Sequence, residues 1–140
     1  MIRQAVLADK PHLLRLWKEG YADTPFNDME YDNAYVEQMF AALLDNSDVV
    51  FARVVEQEGE VVGILIGVVD NNFWGVPIAQ AIISYSRQET DKLIRQFTTW
   101  AKDKGVKSVT VTTVPGKEKY KQLIETLGFK NSGNIYTKEV

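Results

Sequence analysis

The sequence predicts an α+β (mixed α/β) domain of three layers, α-β-α, with helices on both faces of a central mixed sheet of six to seven strands. Three observations predict it. Residues 79–114 read as apolar strand, amphipathic helix and apolar strand, and a helix joining two apolar strands implies a right-handed parallel crossover. Residues 49–69 hold two apolar runs separated by a polar stretch containing Gly59, which fits a short hairpin and so antiparallel neighbours. A length of 140 residues suits one domain over residues 1–140, able to bury about two-thirds of its unfolded surface.

Each element follows from local pattern. Residues 2–7 alternate apolar and polar, as a half-buried strand does. Asp9 is a candidate N-cap, with Pro11 in the first turn and Leu13, Leu14, Leu16 and Trp17 on the apolar face; Gly20 is expected to end this helix as a left-handed cap. Residues 21–32 are rich in Asp, Asn, Pro and aromatics and read as a surface loop. A second helix is expected over 33–44, where Tyr35, Val36, Met39, Phe40, Leu43 and Leu44 share a side. Strands follow at 49–55, 61–69 and 79–84. The next helix starts near Glu89, and Leu93, Ile94, Phe97, Trp100 and Ala101 recur at three- and four-residue steps. Residues 108–114 give a strand, Tyr120, Leu123, Ile124 and Leu127 the face of a last helix, and 131–138 a closing strand.

Composition excludes several kinds of chemistry. With no cysteine there is no disulfide, thiolate nucleophile or thiolate metal site. A single histidine, His12, leaves no His-based metal cluster and a poor basis for a Ser-His-Asp triad. The net charge of −3 argues against nucleic acid as a partner. No apolar run reaches the ~18 residues of a membrane span, and the first residues lead straight into a strand, so the expected setting is cytoplasmic, away from membranes.

The order β-α-α-β-β-β-α-β-α-β, with Trp100-Ala-Lys-Asp-Lys-Gly105 and Glu125-Thr-Leu-Gly-Phe129 at the ends of the last two helices, resembles the GCN5-related N-acetyltransferases (GNATs) over nearly the whole chain. The resemblance implies acetyl-CoA as cofactor and transfer of acetyl to a primary amine, borne by a small molecule or a peptide. In that family a Gln or Arg is followed by glycines three and five positions later, between the fourth strand and the following helix. Backbone N–H groups there and the helix N-terminus bind the CoA pyrophosphate. Counting from Trp100 lays the signature on Tyr85, Gln88 and Thr90; counting from the basic residue lays it on Arg87, Thr90 and Lys92. Neither placement supplies a glycine, and none occurs between Gly75 and Gly105, so this is a divergent cofactor loop. Glu89 and Asp91 also stand where a dianion would sit. By resemblance the cofactor-binding set is Ile83, Tyr85, Arg87, Gln88, Thr90 and Lys92, with backbone donors between the central parallel strands polarising the thioester.

The family's general acid is a tyrosine five positions before the phenylalanine of the Leu-Gly-Phe ending. Ile124 stands there, while Tyr120 lies one helical turn earlier on the same side. The asparagine that often opens this helix is replaced by Lys117. Glu30 and Asp70 are the carboxylates available as general base. The loop between the first two helices and the turn before the fourth strand frame the acceptor in the family. Here they carry Tyr21, Phe26, Met29, Tyr31, Phe73 and Trp74 beside Asp23, Asp28 and Glu30, which suits a cationic amine. The same aromatics suit a protein partner. Two functions therefore stand side by side. One is a GNAT-type N-acetyltransferase working by direct attack, with Tyr120, Glu30 and Asp70 in catalysis and Tyr31, Phe73 and Trp74 binding substrate. The other is a catalytically inactive GNAT fold acting through protein contacts, such as a phage structural or host-binding protein.

Overall fold

The computed structural model describes residues 1–24, 30–113, 116–138 and 140. In chain order the elements are β1 (Ile2–Gln4), a 3-10 turn (Leu7–Asp9), α1 (Lys10–Tyr21), α2 (Asn33–Asp45), β2 (Val50–Gln57), β3 (Glu60–Asn71), β4 (Pro77–Ser86), α3 (Thr90–Asp103), β5 (Ser108–Thr110) and α4 (Glu118–Thr126). The five strands form one sheet in the order β1-β2-β3-β4-β5. Neighbours are antiparallel except β4 and β5, which are parallel and joined through α3. The sheet is mixed, as expected, and helices cover both faces.

Strand alternation sorts the core into two halves. Leu13 and Leu16 of α1 and Phe40 of α2 pack on Ala52, Val54, Ile64 and Ile66. Leu93, Ile94, Phe97 and Ala101 of α3 and Ile124 of α4 pack on Phe51, Leu65, Ala79 and Ala81 from the other side. The β2–β3 hairpin turns on Glu58 and Gly59, both at positive φ (53° and 79°), the backbone that a two-residue type I′ turn requires. α2 is capped by Asp32, whose Oδ1 accepts the Tyr35 N–H at 3.1 Å.

Among the described residues the sheet has five strands, against the six to seven expected. Residues 131–138 are not a strand, because Ile135 and Tyr136 are the only large apolar side chains there and both are exposed. Such a segment buries too little apolar surface to offset the entropy of ordering it. The strand expected over 108–114 is paired only through Thr110, and Val114 lies outside the described residues. Gly20 is no left-handed cap either. α1 continues through it to Tyr21, and a Cβ on Gly20 would lie 2.7 Å from Cδ2 of Tyr85, so this glycine lets β4 approach the helix.

Asp9 is the N-cap residue of α1 by position, yet its side chain reaches backward. It is buried and accepts the Val6 N–H at 2.8 Å and two guanidinium bonds from Arg3 at 2.9 and 3.0 Å. Burial pushes its carboxyl up, but the hydrogen bonds from Arg3 and Val6 outweigh that and hold it below the usual aspartate value. A depressed folded pKa contributes stability above the unfolded value, and that stability is lost as pH falls through the folded value. Asp9→Ala is expected to cost about 2 kcal/mol at neutral pH, since it strips the Val6 N–H and two guanidinium bonds of their acceptor while Arg3 keeps Glu56 at 2.6 Å. Urea midpoints taken from pH 7 down to about pH 3 should fall less steeply in Asp9→Asn than in the parent.

Candidate functional site

The site begins with an irregularity in β4. Ile66 pairs with Ile83 and Gly67 with Ala81, so Ile82 is an extra residue bulged out of the ladder. The bulge inverts the alternation. Before it, Ala79 and Ala81 face α3; after it, Ile83 and Tyr85 pack on the α1 side. Ser84 now faces α4, where its Oγ lies 2.8 Å from Oη of Tyr120.

Pairing between β4 and β5 ends at Gln80 and Thr110. Beyond that point the β4 edge, residues 81–86, has no strand beside it among the described residues. This unpaired stretch of β4 and the start of α4 bound a wedge, and at its mouth lies a cavity of about 560 Å³. Ser86, Arg87 and Thr90 line it from the end of β4 and the start of α3, and Gly116 to Tyr120 with Leu123 line it from α4 and the residues before it. An open strand edge can take an extended, amide-bearing chain as a further strand. The start of a helix and three cationic side chains, Arg87, Lys117 and Lys119, suit phosphate. The residues present therefore fit a ligand with a phosphorylated end and an extended amide arm.

Tyr120 is half-buried across this wedge. Burial pushes its hydroxyl above the usual tyrosine value; the Ser84 hydrogen bond pulls it down and the neighbouring Tyr21 adds a smaller upward push. It thus holds its proton throughout the neutral range, as a general acid must.

The sequence-derived candidates divide by position. Arg87, Thr90 and Tyr120 meet in the cavity. The Ile83 and Tyr85 side chains turn away to the α1 layer, so only their backbone borders the wedge. Gln88 is exposed and its N–H and C=O are both engaged by Ser86 Oγ. Lys92 pairs with Glu89 at 3.1 Å, outside the cavity. Glu89 does not block the site, because its carboxylate turns to Lys92, Gln57 Nε2 (3.0 Å) and the Met1 amino group (3.3 Å). Tyr31 lies under Lys18, whose Nζ is 5.9 Å from the ring centroid, and Glu30 is exposed just before α2. Phe26, Asp28 and Met29 lie outside the described residues. Asp70, Phe73 and Trp74 are not brought to the cavity. They sit at the β3–β4 turn, next to Pro77, nine residues up β4 from Ser86, or on the order of 30 Å. Nothing in the sequence pattern points to Ser86 and Lys119 at the site, and it offers Ser84 only as one of two polar side chains on its strand, with Gln80; the β4 bulge and the α4 docking mark them out.

Solved structures with this architecture are numerous, although no protein-family model and no curated sequence matches the chain. A transcriptional regulator from Bacillus halodurans C-125 superposes with a TM-score of 0.78 at 18% identity, covering 100% of this chain and 99% of that one. AAC(6')-Iy, in complex with the bisubstrate analog CoA-S-monomethyl-acetylneamine, gives 0.75 at 15% identity, covering 100% and 97%. The ribosomal-protein-alanine N-acetyltransferase of Brucella melitensis biovar Abortus 2308 gives 0.70 at 17% identity, covering 100% and 99%. The chain has the GNAT fold. The likeness spans every element from β1 to α4. At the start of α3 the chain puts Glu89, a non-glycine residue at φ 54°, as the N-cap. No helix among the described residues is long and apolar enough to cross a membrane.

Proposed function

We propose that this protein is an N-acetyltransferase that moves acetyl from acetyl-CoA to a primary amine by direct attack. The observation that carries the reading is the end of β4–β5 pairing after Gln80, which leaves a wedge onto a cation-lined cavity with the Tyr120 phenol across it. Acetyl-CoA supplies the activated thioester. The chain's residues do the rest. The open edge of β4 offers backbone donors to the acyl oxygen, where charge develops as the amine attacks. The N–C bond forms, the C–S bond breaks, and the Tyr120 hydroxyl gives its proton to the leaving sulfur. The proton released by the amine passes through water to a carboxylate, for which Glu30 is the candidate. Without cysteine there is no thiol to carry the acyl group between the two substrates. A small, cationic amine is the proposed acceptor, by analogy with AAC(6')-Iy and its acetylneamine bisubstrate analog, and with Asp23, Glu30 and Tyr31 on the α1–α2 side. A cytoplasmic setting is the natural one for a CoA-dependent enzyme.

The second reading, a fold that acts through protein contacts, rests on the β3–β4 turn. Phe73 and Trp74 are 91% and 80% exposed there, rings edge-to-face at 4.9 Å, on a turn fixed by Asn72. Calorimetry with acetyl-CoA separates the two. The transferase reading expects binding in the micromolar range, weakened at least tenfold (about 1.4 kcal/mol) by Thr90→Glu, which puts a carboxylate into the cavity. Absence of binding at millimolar ligand overturns it and favours the second reading.

A further inference from the structure

The turn from β4 into α3 has already engaged two of its backbone donors and its side chains, leaving only the N–H groups at the first residues of α3. Arg87 N–H donates to Val62 O at 3.0 Å and Gln88 N–H to Ser86 Oγ at 3.3 Å. The Thr90 hydroxyl donates to Ser86 O at 3.1 Å. The Arg87 guanidinium is shared between Glu60 at 3.0 Å and Glu19 at 3.4 Å. Opposite them, the start of α4 is the reverse case. Lys117 is its N-cap residue and half-buried, Lys119 is in its first turn, and both line the cavity. Among the described residues neither ammonium has a carboxylate within ion-pair distance, whereas Arg87, the third cation lining the cavity, has two. The two lysines outnumber Glu118, the one acid beside them on the cavity wall, and the positive end of the α4 dipole adds to their field.

We infer that this chain holds the phosphates of its ligand chiefly by the charges of Lys117 and Lys119 on α4, and less by the turn before α3. The inference rests on the reading of the cavity as a coenzyme A site and moves the phosphate anchor to the opposite wall. Binding by side-chain charge in an open cavity is sensitive to salt and to the number of phosphates, whereas grip on the amide arm is sensitive to neither. Lysine also acts as a flexible point charge, which suits a phosphate that no rigid amide nest surrounds.

The experiment is calorimetry on the full chain with two probes, coenzyme A and pantetheine, which lacks every phosphate. Lys117→Ala and Lys119→Ala are each expected to weaken coenzyme A roughly tenfold, the double change to Glu about 100-fold or more, with pantetheine binding unchanged. Lys102→Glu, the same charge change on the last turn of α3, should leave both within twofold (about 0.4 kcal/mol). Thermal melts check that each variant folds. If the double variant binds coenzyme A as the parent does, or if Thr90→Val weakens it more than the lysine changes, the inference is overturned while the transferase reading stands. If the parent binds neither probe at millimolar concentration, both fall together.

Discussion

Tyr120→Phe is expected to lower kcat about 100-fold while acetyl-CoA binding stays within a factor of about two. The substitution removes one oxygen from a ring that otherwise keeps its place between β4 and α4. Tyr120 is partly buried, packs against the α3-side core and meets Ser84 Oγ at 2.8 Å, so the aromatic body is held from several directions. Its hydroxyl is the donor at the wedge with a proton to give. Burial keeps that proton on well above neutrality, and Ser84 donates to the phenolate once the proton has left, which is why this bond pulls the pKa down. An acid must be protonated to act, so Tyr120 imposes no limb through neutral pH, where deprotonation of the acceptor amine sets the slope. The parent rate should decline only as pH rises through a value above that of an ordinary tyrosine. The variant should lack that alkaline limb. A pH–rate profile on a primary amine acceptor therefore distinguishes proton donation from packing: if Tyr120→Phe keeps both rate and limb, the phenol only docks α4 on the sheet.

Much of this arrangement was legible in the sequence. Leu93, Ile94, Phe97 and Ala101 recur at helical spacing and are the residues α3 buries, and Leu13, Leu16 and Phe40 fill the other half of the core as their spacing implied. Periodicity of that kind records burial directly. What was not legible depends on contacts between distant segments. The Ile82 bulge lies inside an unbroken apolar run, with no glycine or proline to mark it, and it alone decides that Ser84 rather than Ile83 faces Tyr120. Gly20 satisfies the rule for a helix cap and the rule for close approach equally well, and only the Tyr85 ring decides between them. Lys117 reads in sequence as a missing asparagine, yet it lines the cavity because α4 docks beside the end of β4. Residues 131–138 look like a strand by position, but their composition lacks the apolar face that would hold one.

Gly67→Val is expected to prevent folding, and Gly67→Ala to cost about 3 kcal/mol, the upper range for overpacking a tight core. A Cβ at this position would fall well inside van der Waals contact with Cε2 and Cζ of Phe97 and 3.1 Å from Cδ2. Neither side can yield. β3 is hydrogen-bonded to β2 and β4 along its length, and Phe97 is fully buried between Phe51, at 5.3 Å between centroids, and Trp100, at 6.1 Å. The ring has no free volume to move into. If that overlap is the cause, Phe97→Leu in the Gly67→Ala background should cost less than the two single changes together, and a double-mutant cycle from urea midpoints reads the coupling. Strict additivity would show that the Phe97 ring is not what the added methyl group meets. The position also bears on the site, because Gly67 pairs with Ala81 beside the Ile82 bulge and seats α3 close on the sheet. Lifting α3 by the thickness of a methyl group shifts Thr90 and Arg87 relative to Tyr120. Gly67→Ala should therefore weaken acetyl-CoA binding even at temperatures where the variant is fully folded.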